Sequence, residues 1–477
     1  MNQLNRIPEK KNIVLISPPE LGKYAPRNIW SLATFLESKG YPTAVIPLAY
    51  HLGFDPQYSD ETLRSVLADI LKEHDPKIVG VSSMTSDARS GKKILKICKE
   101  LNEKIITLMG GVHPTFMEQD CINLPFVDIA VRGEAEWTLW ELVRALEKGA
   151  FQPPYGELHQ IKGLTFKENG HIVRTPDREL GNLNELPRLD FGLLSDDFLR
   201  KCNIMGMMSR GCAFNCNFCA DKRFWKTVRH LPVSHTLHEM EVLSSKYNNP
   251  MTNIEDNMVY IGSPQFSEVC AEIKKRKIRL RDNFYVLTRV DMIVDDQGLK
   301  DMEGTGIETV VLGIESGSPN VLKMMNKKTS PEAIISGCQK LRKYGVKPIG
   351  IWMIGHPGDN PEETERSIAL LNYLLDNDLM SAAHFTYFIP WPGTCFFDEP
   401  EKYGIEILTD NWSTWDYYEE NGIRRPIFQL KDFSADDMTK YYYKAYDILT
   451  KRSAMPFWFK AGLQGKDRGC SVQDKRE

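Results

Sequence analysis

Short β-branched runs alternate with amphipathic stretches along most of this chain, and that alternation admits little besides parallel sheets with helices packed on them. In the first part the strand candidates are Asn12–Ser17, Thr43–Pro47, Ile78–Ser82, Ile105–Met109 and Val127–Val131. Helical spacings run between them through Ile29–Leu36, Leu63–Leu71 and Lys92–Leu101, and a further helix spans Glu136–Lys148. Five strands so connected predict an open, Rossmann-like parallel sheet with ligand sites at the strand carboxyl ends. The alternation resumes with Ile204–Ser209, Asn253–Asp256, Tyr285–Thr288, Thr309–Ile314, Pro348–Ile354 and His384–Ile389. Six such units suit a partial TIM-type (β/α)6 barrel, whose chemistry occurs at the C-terminal strand ends.

These patterns divide the chain into a first domain over 1–149, a connector over 150–197, a barrel over 198–394 and a mostly helical cap region over 395–477. The connector holds Pro153-Pro154 and a predicted hairpin, Gly163–Lys167 and His171–Arg174 about a turn at Asn169-Gly170. The cap is rich in aromatics (Trp412, Trp415, Tyr417, Tyr418, Phe428, Tyr441–Tyr443), with a helix over Asp436–Leu449 expected at the barrel mouth and a polar, disordered final dozen residues. A length of 477 residues suits two or three domains. With a net charge of −4 and no basic run beyond Lys274–Lys277, nucleic acid is not an expected bulk partner. No apolar run is long enough to span a bilayer, and Met1–Lys11 is too polar for a signal peptide. Seven of the ten cysteines are scattered singly, which fits a reducing cytoplasm rather than a disulfide framework.

The other three cysteines carry the chemistry. Cys212, Cys216 and Cys219 stand in C-x3-C-x2-C spacing on the loop that follows Ser209-Arg210-Gly211. One short loop can wrap all three thiolates around a compact centre, and thiolates are the usual ligands of iron–sulfur clusters. Three ligands for a four-iron cubane leave one iron open to a substrate or cofactor. The competing reading is a zinc or structural site, for which Cys202, His230, His235 and His238 lack standard spacing.

This motif, with Phe218 before the last cysteine, resembles the cluster loop of the radical S-adenosylmethionine (SAM) superfamily. The resemblance implies a [4Fe-4S] cluster held by Cys212, Cys216 and Cys219, its open iron chelating SAM. The segment Gly313–Ser318 is similar to the superfamily's SAM-contacting glutamate motif, which points to Glu315 and Ser316. Gly355–Asp359 resembles a loop bordering SAM, although Asp359 and Asn360 depart from its usual Glu-Thr. Arg289, ending a strand, can meet the SAM carboxylate or form an ion pair within the barrel. Glu255-Asp256-Asn257 faces the cavity or ties the rim.

Upstream, Gly110–Thr115, then Asp128–Glu136, then the helix to Gly149 resemble the cobalamin-binding domain of B12-dependent radical SAM enzymes. Gly110, Gly111, His113, Thr115, Gly133 and Glu134 are the contacts this implies. The D-x-H-x-x-G motif that supplies a cobalt-ligating histidine in many B12 proteins is absent, so no cobalt ligand is named. For His113 a backbone-bonded loop role is the expectation. The resemblance implies radical methylation of an unactivated carbon in a small-molecule or natural-product substrate, fed by a flavodoxin- or ferredoxin-type electron donor. Two alternatives stay open: a cobalamin-associated cyclase, ring-rearranging, dehydrating or C–C coupling enzyme, and a non-catalytic cobalamin or Fe–S sensor.

Overall fold

The computed structural model describes residues 11–149, 156–293, 296–409, 411, 414–415, 418–420 and 423–458. Met1–Lys10, Pro153-Pro154, Trp412, Tyr417 and the final dozen residues lie outside them. The chain divides into two compact units, one formed by 1–211 and 221–253 and the other by 212–220 and 254–477.

In the first unit, β1 (Ile13–Ser17), β2 (Thr43–Pro47), β3 (Ile78–Ser82), β4 (Ile106–Gly110) and β5 (Ile129–Val131) pair in parallel, in the order β2-β1-β3-β4-β5. β1 and β2 are buried at every position, as parallel strands covered on both faces require. Val14, Ile16, Val79, Val81, Leu95 and Met109 belong to one apolar core beneath the helices. The expected hairpin forms, as β6 (Leu164–Glu168) and β7 (His171–Arg174). It is not a separate connector element, however, because β6 pairs antiparallel with β5 and extends the sheet to seven strands. The segment after it is fastened to the helix Arg27–Ser38. Trp30 meets Phe191 edge-on at 5.1 Å and its indole N–H donates to Asp190 O at 2.8 Å.

The strand expected over Ile204–Ser209 is two short pieces, β8 (Met205–Gly206) and β9 (Ser209–Arg210), and β9 pairs antiparallel with β10 (Arg229–His230). Gly211 follows at φ +91°, where a Cβ would lie 2.3 Å from Thr227 O, so only glycine fits this turn.

In the second unit, β11 (Asn253–Ile254, at the unit boundary), β12 (Tyr285–Thr288), β13 (Thr309–Glu315), β14 (Lys347–Ile354) and β15 (Ala382–Tyr387) lie in the order β15-β14-β13-β12-β11. β12 through β15 are parallel and the sheet does not close, an open arc rather than a full barrel. Its inner strand residues Val311 and Ile349 pack with Phe457 and Trp458. The C-terminal helix, Ala435–Lys451, packs on the edge strand β15. Tyr442 stacks on Tyr387 at 4.7 Å, and Tyr446 Oη donates to Phe385 O. Among the described residues no helix is long and apolar enough to cross a membrane.

Candidate active site

The cysteine loop of the second unit is held from several sides. Ala213 N donates to Tyr260 Oη at 2.8 Å. Asn217 donates from its backbone to Met325 O and from its side chain to Met324 O, at 3.0 and 2.9 Å. Asn326 returns a side-chain bond to Asn215 O at 2.7 Å. Cys212, Cys216 and Cys219 are half-buried, whereas Cys98, Cys121, Cys202, Cys270 and Cys338 are buried core thiols. Burial pushes those five up to about 12, so they stay protonated and inert. Cys216 is also raised by burial, but Lys327 and Arg289 oppose that shift by favouring the thiolate. Cys395 is half-buried and Cys470 lies outside the described residues.

Glu315 ends β13 at a register shift, with φ +66°. A non-glycine residue in the left-handed region is uncommon, and such strain clusters at functional sites. Its carboxylate is buried and accepts from Lys327 Nζ at 2.8 Å. Gly313 makes room for the pair: a Cβ there would stand 2.6 Å from Glu315 Oε1 and 2.9 Å from Lys327 Nζ. Ser316 is used internally, its hydroxyl 3.1 Å from that of Ser367 and accepting from Ser318 N.

Arg289 forms the ion pair that was one of its two expectations. Nε and Nη2 donate to the Asp291 carboxylate at 2.9 and 2.8 Å. Nη1 reaches Cys216 Sγ at 3.2 Å, Nη2 also meets Lys327 O, and the guanidinium lies 3.8 Å over the Phe214 ring. Phe218 meets His356 edge-on at 6.2 Å. Gly355, at φ +87°, is pressed against Met438 and Phe428 and donates to Asp359 Oδ2 at 2.9 Å. Burial raises Asp359 to about 6. Of the rim residues, Asp256 is buried and Glu255 exposed.

In the first unit, the stretch after β4 is a short helix, Val112–Phe116. Gly111 permits a close approach within the protein, since a Cβ would sit 2.5 Å from Ser83 O. Gly110 lies beside Val131 in the sheet. His113 is fully buried, its backbone N–H donating to Ser83 O at 3.1 Å and its ring meeting side chains, with Nε2 2.8 Å from Asp120 Oδ2 and Nδ1 3.3 Å from Thr85 Oγ1. Burial lowers its pKa, and both ring nitrogens are engaged. Thr115 Oγ1 accepts from Gly133 N at 2.9 Å, linking the two glycine loops. A Cβ on Gly133 would meet nothing within 4 Å, so this backbone faces open space.

Glu134 is the hub of a buried ion network. Arg210 donates to Glu134 at 2.9 Å and to Glu136 at 2.7 Å, and Arg229 donates to Glu134 at 2.7 and 2.8 Å. Desolvation opposes charge on Arg210 and raises Glu136, but their mutual attraction prevails: Arg210 is raised and Glu136 lowered. Beside this network, at the strand carboxyl ends, a cavity of about 260 Å³ is lined by Asn28, Leu32, Met84, Gly111, Val112 and Gly133 among others.

Residues 21–143 match the B12 binding domain and residues 207–371 match the radical SAM superfamily. An uncharacterized methyltransferase of Pyrococcus horikoshii is 32% identical over 388 residues, covering 80% of each chain. The chain belongs to the cobalamin-dependent radical SAM enzymes. The anaerobic magnesium-protoporphyrin IX monomethyl ester cyclase of Rubrivivax gelatinosus is 27% identical over 389 residues, covering 79% of this chain and 66% of that one. The radical SAM methyltransferase TsrM from Kitasatospora setae, solved with cobalamin and a [4Fe-4S] cluster, shares the fold. It aligns with a TM-score of 0.70 at 17% identity, over 93% of this chain and 89% of that one.

Family membership brings a [4Fe-4S] cluster, SAM and cobalamin as cofactors. The residues fit them. Half-buried thiols beside two cations suit a cluster, and the open backbone at Gly133 with an apolar cavity wall suits the face of a macrocycle. Sequence reasoning missed Tyr260, Lys327, Arg229 and the asparagines 217 and 326. None has a motif of its own, and each matters only through the partner the fold brings to it. Arg210 stood in the cysteine stretch, where its residue type alone signalled nothing.

Proposed function

We propose that this enzyme transfers a methyl group to an unactivated carbon of a small-molecule substrate, in the cytoplasm and with an external flavodoxin- or ferredoxin-type reductant. When bound, the cluster and SAM supply a carbon-centred radical and cobalamin supplies a methyl carrier. Cys212, Cys216 and Cys219 hold the cluster from a loop braced by Tyr260, Asn217 and Asn326. Glu315, presented by the strained end of β13, accepts from the SAM amino or ribose groups, while Lys327 donates to its carboxylate and holds it in place. Arg289 lends its charge to Cys216. Gly111, Thr115 and Gly133 shape the cobalamin side, with 1–149 as that cofactor's domain and 198–394 as the radical core.

The observation that carries this reading is the 32% identity to a methyltransferase over most of both chains. The 27% identity to a cyclase supports the second reading, ring closure without methyl transfer. Reconstituted enzyme supplied with methyl-labelled SAM, a reductant and candidate substrates separates the two. Label in the product is expected. Formation of 5′-deoxyadenosine with unlabelled product would give the case to cyclisation or another rearrangement. Reductive SAM cleavage that survives Cys212→Ala would overturn the enzyme reading itself.

A further inference from the structure

The first unit contains a second cavity, of about 460 Å³, that nothing above accounts for. Six cations line it: Arg132, Arg174, Arg178, Lys222, Arg223 and Lys226. Its carboxylates are all already matched. Glu118 pairs with Arg174 at 2.9 Å, Asp177 with Arg174 at 3.0 Å, Glu134 with Arg210 and Arg229, and Glu179 with Lys162 at 2.7 Å. Among the cations, Arg174 is the partner of Glu118 and Asp177, Arg178 pairs with Glu141, and Arg132 Nη1 lies 3.3 Å from Asp177, but two lysines stand apart. Among the described residues no ion pair or side-chain hydrogen bond reaches the ammonium of Lys222 or Lys226. Arg132 is 3% exposed and donates from Nη2 to Thr175 O, yet its Nε has no hydrogen-bond partner. Burial and the neighbouring Arg174 pull the Arg132 pKa down against the opposing pull of Asp177 and Glu118, the two carboxylates that it shares with Arg174. Phe116 and Phe224, 6.3 Å apart, give the cavity an apolar wall.

We propose that this cavity is an anion site, built for the phosphate or carboxylate of an organic ligand whose apolar part lies against Phe116 and Phe224. Unmatched charge in a walled cavity favours an occupant of opposite sign. Two sources supply that chemistry: the phosphodiester of cobalamin, whose expected contacts Thr115 and Gly133 also line the cavity, or an acidic group of the substrate. The cofactor source rests on the cobalamin reading, but the anion site does not.

The test compares wild type with the Lys222→Ala/Lys226→Ala double variant, whose changes lie at surface-facing positions and spare the buried network. Pyrophosphate is titrated calorimetrically into cobalamin-free and cobalamin-loaded protein, and cobalamin and cobinamide are titrated by absorbance. Pyrophosphate binding to the cobalamin-free wild type, weakened on the order of tenfold in the variant, is expected. If the cofactor's phosphodiester is the ligand, the variant also loses affinity for cobalamin but not for cobinamide, which lacks that phosphate, and loading with cobalamin abolishes pyrophosphate binding. If a substrate acid is the ligand, both corrinoids bind wild type and variant equally and pyrophosphate still binds the loaded protein. Equal pyrophosphate affinity in wild type and variant, or none in either, together with an unchanged cobalamin-to-cobinamide ratio, overturns the proposal. Cluster content and SAM cleavage, measured on the same samples, report on the radical reading separately.

Discussion

Glu315 and Lys327 show how much one residue depends on another here. Both are buried, so removing one partner leaves an uncompensated charge in the protein interior. Lys327→Met is expected to destabilise the second unit by about 3–5 kcal/mol, with Glu315→Gln restoring part of that loss in the double variant. Urea unfolding of the cofactor-free chain measures both, and a loss near zero for Lys327→Met would contradict the pairing. His356 makes a pH prediction. Its Nδ1 lies 2.8 Å from Pro357 O, which assigns the proton to Nδ1, and Phe388 and Phe396 pack on the ring at 5.1 and 5.0 Å. Burial depresses its pKa to about 4 from 6.5. Its neutral form therefore contributes stability that is complete above pH 6.5 and is lost as pH falls to about 4. Across that window wild type should lose about 3 kcal/mol that His356→Phe does not, read from unfolding midpoints at each pH. Asp359 has the opposite sign, since its raised pKa gives stability below pH 3.8 that is lost as pH rises through about 6. Being present in both proteins, it cancels in the comparison.

Among the elements, the helix Pro361–Asp376 begins at Asn360, whose side chain accepts from Glu362 N and Glu363 N at 2.9 and 3.1 Å. The departure from the family pattern noted in the sequence is thus still a working cap. Asn360→Ala should cost about 1 kcal/mol and Asn360→Thr much less, compared by thermal unfolding. Caps of this kind are local: Ser263, Ser318 and Ser330 each precede a proline-led helix and accept its third backbone N–H. The hairpin's turn was legible because it too is local. Its attachment to β5 was not, because edge pairing depends on which strand end the fold leaves open.

For the whole molecule, division into two compact units implies separable cofactor loading. Replacing Cys212, Cys216 and Cys219 together by alanine should remove the cluster, about four irons per chain, while about one cobalt per chain is retained after reconstitution. Anaerobic metal analysis with an absorption spectrum reads both. Loss of cobalt along with iron would show that the first unit needs the cluster loop to bind its cofactor.

The order of most strands and helices, the thiol triad and the family were legible in the chain before folding. These rest on spacing within a few residues, where backbone geometry leaves few choices. Which charges meet is set by the packing of distant segments. Arg210 finds Glu134 and Glu136 across 76 and 74 residues, Arg229 finds Glu134 across 95, and Arg289 reaches Cys216 across 73. The cationic cavity belongs to the same class, gathered from the segments that follow β4 and β5, from the end of β7 and from the stretch after the cysteines. A side chain's charge is written in the sequence, but its counter-charge is chosen by burial and proximity, and those exist only once the chain has folded.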